Sequence, residues 1–163
     1  MRKLVHAAAA AALLLSATAC QNALGDDYGP LTGTWKVTIT DFKYWPANPS
    51  LECDVATSYQ IRQEGSEIEG VSTESTMTCV DSATGATSTY SKHPGVVRGP
   101  VENGRVQISD AGGFHCIAEM HPTRLEGVLE SYGGRADEPM QTLRSGSCVL
   151  EKVSDEGYYG PRA

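Results

Sequence analysis

The sequence predicts an all-β protein, an up-and-down antiparallel barrel of about eight strands carrying two disulfides. Three observations carry that reading. Apolar residues recur with a period of two in segment after segment, and no stretch of the mature region keeps a 3.6-residue period. Turn residues separate those segments at hairpin spacing. Four cysteines, an even number, follow a segment with the features of an export signal.

The strands fall near residues 33–42, 56–63, 67–79, 87–101, 104–110, 114–120, 124–131 and 143–153. In the first, Trp35, Val37 and Ile39 share one face while Thr34, Lys36, Thr38 and Thr40 share the other. Tyr59 and Ile61, Val106 and Ile108, and Phe114, Cys116, Ala118 and Met120 repeat the alternation. Asn103-Gly104 is the clearest hairpin signal, because a type I′ turn needs positive φ at both central residues. Glu64-Gly65-Ser66, His121-Pro122-Thr123 and Tyr132-Gly133-Gly134 mark further reversals. Consecutive strands joined this way form a meander, and a sheet of eight closes to remove its exposed edges. Trp35, Ile39, Tyr59, Ile61, Ile108, Phe114 and Leu129 are the predicted interior. A weak repeat of apolar-x-Gly at Gly70, Gly99 and Gly127 fits one hairpin per unit, with glycine allowing sharp coiling at a barrel corner; three ordinary strand glycines would give the same pattern.

The chain begins with Arg2 and Lys3, an apolar run from Leu4 to Leu15, and Ala17-Thr18-Ala19-Cys20. That run is too short for a permanent membrane span. The residues before Cys20 resemble the bacterial lipobox, with Ala17 where that family usually has Leu. The resemblance implies removal of residues 1–19, lipidation of Cys20, and a mature protein held on a membrane by its acyl chains. Gln21 after the cysteine, rather than Asp, implies by the same analogy an outer-membrane destination. Residues 20–30 are then the lipidated N-terminus and tether, 31–153 the barrel domain, and 154–163 a disordered tail. Losing Arg2 and Lys3 leaves 11 basic against 20 acidic side chains, a net charge of −9. Such a surface argues against nucleic acid and against anionic head groups as partners, so attachment rests on lipid.

Leu31-Thr32-Gly33-Thr34-Trp35 resembles the Gly-x-Trp start of the calycin group, which includes lipocalins and avidins, and residues 63–70 resemble a strand-turn-strand segment of such barrels. The resemblance implies an eight-stranded barrel with the tryptophan packed across one end. It also implies a small apolar ligand in or at the mouth, with Trp35, Tyr44, Trp45 and Tyr59 as candidate contacts. Residues 43–54, with Tyr44, Trp45, Pro46 and Pro49, read as a long loop able to fold over that mouth, or as a surface loop whose Trp45 caps the core.

Cys53 lies 12 residues before the Gly65 turn and Cys79 lies 14 after it, so these two are expected to pair, leaving Cys116 with Cys148. One strand separates the second pair, so the bond either crosses the barrel near a mouth or the strand count there differs. No Cys-x-x-Cys supports a zinc or redox site. His93, His115 and His121, with Glu119, are the histidine-centred metal candidates, and their predicted positions do not converge, so no metal and no cofactor is expected. No Gly-x-Ser-x-Gly, His-Glu-x-x-His or phosphate-binding loop occurs, and no catalytic residue is assigned. The expectation is a monomeric, non-enzymatic envelope lipoprotein. Its partner is a small apolar molecule or an envelope protein; the alternatives are a periplasmic protease inhibitor and a structural envelope protein.

Overall fold

A computed structural model describes residues 29–44, 48–73, 75–111, 113–133, 140–158 and 160. Among these residues there are ten strands and no helix: β1 Gly33–Tyr44, β2 Asn48–Glu64, β3 Glu67–Ser72, β4 Ser75–Asp81, β5 Thr87–Lys92, β6 Val96–Glu102, β7 Arg105–Asp110, β8 His115–Glu119, β9 Arg124–Gly133 and β10 Gln141–Ser154. All pairings are antiparallel. β1 pairs with both β10 and β2, which closes β1, β2, β3, β6, β7, β8, β9 and β10 into a ring, while β4 and β5 lie outside it.

The ten strands are the eight predicted ones, two of them broken. β3 and β4 both run alongside β2, β3 against residues 59–64 and β4 against residues 51–56. The break falls at Thr73, whose side chain and backbone bond to Ser58 and Thr57 in place of a regular ladder. β5 and β6 are likewise halves of one strand, interrupted at His93-Pro94-Gly95, where proline has no N–H to give. Ser72 bonds to Gly95 across the break. β4 and β5 therefore form a hairpin that leaves the barrel wall and overhangs one end.

One predicted element is corrected. Residues 43–54 are mostly strand rather than loop, because β1 runs to Tyr44 and β2 begins at Asn48. Cys53 and Val55 alternate inward against Asp54 and Ala56, the period-two pattern that Pro46 and Pro49 obscured. A bulge at Asp41, with φ 54°, shifts the register of β1 against both neighbours. The turn between β6 and β7 is as predicted, with Asn103 at φ 53° and Gly104 at 75°.

All seven predicted interior residues are buried, and every strand of the ring contributes to a single cluster. An eight-stranded barrel is just wide enough to be filled by such side chains. The repeat glycines make the curvature. A Cβ on Gly70, Gly99 or Gly127 would lie 2.0, 1.6 or 2.0 Å from a carbonyl oxygen of the neighbouring strand. Each marks a corner where two strands approach more closely than side chains permit.

The same coiling answers the question left by the second disulfide. Both predicted bonds form. Cys53 and Cys79 are direct partners between β2 and β4, with Cα atoms 3.9 Å apart. Cys116 on β8 and Cys148 on β10 have β9 between them, yet their Cα atoms are 6.2 Å apart. A flat sheet would separate them by about 9.6 Å, twice the strand spacing. Gly127 of β9 sits in that gap, opposite Cys148 on one side and Ala118 on the other, and the sheet folds sharply there.

Candidate functional site

The two ends of the barrel differ in kind. At one end the chain enters and the wall is sealed. Trp35 Nε1 donates to the Leu31 carbonyl at 2.9 Å, Leu31 N donates to Gln63 Oε1 at 3.0 Å, and Gln63 N donates to Thr32 Oγ1 at 2.9 Å. The Lys152 ammonium lies 5.9 Å from the centre of the Trp35 ring. Thr34 Oγ1 donates to the Glu156 carbonyl and Gly157 is buried, so the segment predicted as a loose tail is held at its start.

At the other end the β4–β5 hairpin overhangs the turn between β7 and β8. Inward parity along β7 puts Val106, Ile108 and then Asp110 on the core side, and the same parity along β5 aims Lys92 inward. The two meet: Lys92 Nζ is 2.9 Å from Asp110 Oδ2, with the lysine side chain 11% exposed and the aspartate 0%. Tyr59 Oη donates to the same Oδ2 at 2.9 Å, and Phe114 N donates to Oδ1 at 3.4 Å. Burial, followed by the Asp110 charge and the hydrogen bond to it, pushes the Tyr59 phenol well above its ordinary pKa, so it stays protonated. Phe114 packs edge-on to Phe42 at 5.0 Å, with Lys92 5.5 Å from its ring centre. Arg144 stands 5.8 Å from the Phe42 ring and donates to the Gly113 carbonyl. The Asp110 carboxylate accepts from the phenol and lies against the Lys92 ammonium, so the cluster ties the end of the hairpin to the barrel.

Of the four candidate ligand contacts the structure describes three, and these do not gather in one place. Trp35 and Tyr59 are direct partners between β1 and β2, both buried. Tyr44 ends β1 nine residues beyond Trp35, about 30 Å along the strand. Trp45 lies outside the described residues, as does Cys20. Nothing in the sequence alone singles out Asp110 and Lys92. Their signal is a charged residue at an inward parity position, legible only once the strand registers are known.

His93, His115 and His121 are spread along the barrel. His115 Nδ1 pairs with Ser109 Oγ at 2.7 Å at the start of β8, His121 follows the end of that strand, and His93 lies in the β5–β6 break. Among the described residues no group of three or more His, Cys, Asp or Glu side chains is placed to hold a metal ion. A surface depression of about 140 Å³ is lined by Arg62, Glu64, Glu67, Ile68 and Glu69. Arg62 there is already engaged by Glu64 at 3.1 Å and Glu69 at 3.5 Å.

Comparison of the chain with protein-family models, with curated proteins and with solved structures yields no match.

Proposed function

We propose that this chain is a lipid-anchored, non-enzymatic recognition domain of the cell envelope, and that it recognises its partner with its outside, at the overhanging hairpin, rather than by carrying a ligand within. One observation carries the reading. The barrel interior is occupied by a single buried cluster to which all eight ring strands contribute, while β5 pairs with β4 alone and stands outside the ring. The chain enters at the opposite, sealed end, so an anchor at Cys20 leaves the hairpin accessible. The cluster of Tyr59, Asp110 and Lys92 supports the non-enzymatic part, since its three groups neutralise one another.

A small apolar ligand at the mouth is the second reading, favoured by Met77 and Tyr90. They are cross-strand partners on the inward face of the hairpin, and Tyr90 is 46% exposed. A photo-reactive residue at position 90, compared with one at Val128 on the far wall, tests the two in intact cells. A discrete protein adduct from position 90 alone is the expected result. Equal labelling from both positions, or saturable one-to-one binding of an apolar fluorophore by the purified protein, overturns the recognition reading.

A further inference from the structure

β5 is an open strand edge in an otherwise closed barrel: among the described residues it pairs with β4 and with no other strand. The Asp81 N–H bonds to the Ala86 carbonyl at 2.9 Å, and the register runs without a shift from there to Lys92. Alternation of antiparallel hydrogen bonds then aims the backbone groups of Ser88, Tyr90 and Lys92 at β4 and those of Thr87, Thr89 and Ser91 at solvent. Natural sheets defend such an edge with charges, proline or a bulge. Residues 87–91 have none of these, and all five are exposed. The wider hairpin, residues 75–92, holds two charged side chains, Asp81 in the turn and Lys92, which is engaged inward by Asp110.

We infer that this edge pairs with the same edge of a second copy of the chain. The inference rests on reading the hairpin as the recognition surface, and it names the occupant. Backbone geometry makes the edge self-complementary. Antiparallel pairing about a two-fold axis at Thr89 sets Thr89 against the partner's Thr89 and Thr87 against the partner's Ser91. These are three hydrogen-bonded pairs, about six N–H···O bonds in all. Charge favours this contact over others. Two mature chains at −9 each repel wherever their acidic walls meet, whereas residues 87–91 present only Thr, Ser and Tyr. A contact of one short strand on each side is small, so the dimer is weak and reversible in solution and gains from confinement on a membrane. The two-fold axis turns the chain entries to opposite ends. Gly29 N–H bonds to the Gln63 carbonyl, and the eight residues between it and Cys20, reaching at most about 28 Å, let both barrels lie on their sides over one membrane.

Sedimentation equilibrium of the Cys20→Ser chain, with and without Thr89→Lys, tests the inference. Thr89→Lys sets like charges face to face on the axis, on a side chain already exposed. Thr78→Lys, its neighbour on β4, is the control for contacts of the hairpin face. Expected is a concentration-dependent dimer that Thr89→Lys weakens about tenfold or more and Thr78→Lys preserves, with both variants unfolding cooperatively near the parent. A monomer at every concentration, or a dimer indifferent to Thr89→Lys, overturns the inference. In the cross-linking experiment at position 90, an adduct with a second copy supports it. An adduct with a different protein overturns the second-copy occupant while leaving the recognition reading in place, and no adduct removes both.

Discussion

Asp110 accepts from Tyr59 and Phe114 and balances Lys92, with its own side chain fully buried. Removing one member of a buried ion pair strands the other, a cost of about 3–5 kcal/mol, whereas replacing both with apolar groups is often close to neutral. Asp110→Ala should therefore lower stability by about that amount, and Asp110→Leu with Lys92→Met by much less. Urea unfolding at neutral pH without reductant, so that both disulfides stay intact, reads both; equal losses for the single and the double variant would show that the pair is not coupled. Tyr59 adds a pH signature. Its phenol pKa is raised in the folded state, so its contribution is fully present below the unfolded value near 10 and is lost as pH rises through the folded value. Stability should fall more steeply above about pH 10 in the parent than in Tyr59→Phe, since the phenylalanine removes that titration. Parallel curves would dismiss the coupling. Neither Asp110 nor Lys92 was legible as a functional position in the sequence, because an acid and a base 18 residues apart in a polar hairpin are what a solvated surface also looks like.

Strands were the most legible elements, since alternation is imposed locally by burial of one face. The first strand, the Asn103-Gly104 turn and the last four strands came within a few residues of their observed ends. The two breaks, at Thr73 and at His93-Pro94-Gly95, were not legible. They depend on where the ring closes, and the Ser and Thr residues of 72–78 give no apolar marker of the switch in inward parity, from even positions in β3 to odd positions in β4. The start of β2 was hidden for a related reason: prolines at its mouth look like loop until the partner strand is known. The repeat glycines were half legible. Spacing suggested corners, but only the paired carbonyls distinguish a corner from an ordinary strand glycine. Gly99→Ala and Gly127→Ala should each cost about 1–3 kcal/mol or more through overpacking against a backbone that cannot swing away. Val128→Ala, beside Gly127 but 48% exposed, should stay within about 0.5 kcal/mol. Thermal unfolding of the three variants measures this, and a Gly127→Ala protein as stable as the parent would refute the corner assignment.

At the scale of the whole molecule, closure explains why a chain of modest hydrophobicity holds together. One ring, one interior cluster and two covalent ties replace the layered core a larger protein would use. The proposed anchor is tested at the same scale. Cys20→Ser should move the chain out of the membrane fraction and abolish incorporation of labelled fatty acid, because no acyl chain then holds an acidic protein to a bilayer. Retention in the membrane without label would point to a different mode of attachment.

The staple between Cys53 and Cys79 has a mechanical consequence. If the protein is held by its chain start and loaded at β5, the pull runs from the sealed end up β1 and β2 and leaves through β4. Without a covalent link, that load would peel β4 from β2 one hydrogen bond at a time. The disulfide fixes the two strands at directly opposed residues in the middle of their ladder, so peeling stops there, tension passes through the chain itself, and the hairpin stays a rigid handle until the bond is reduced.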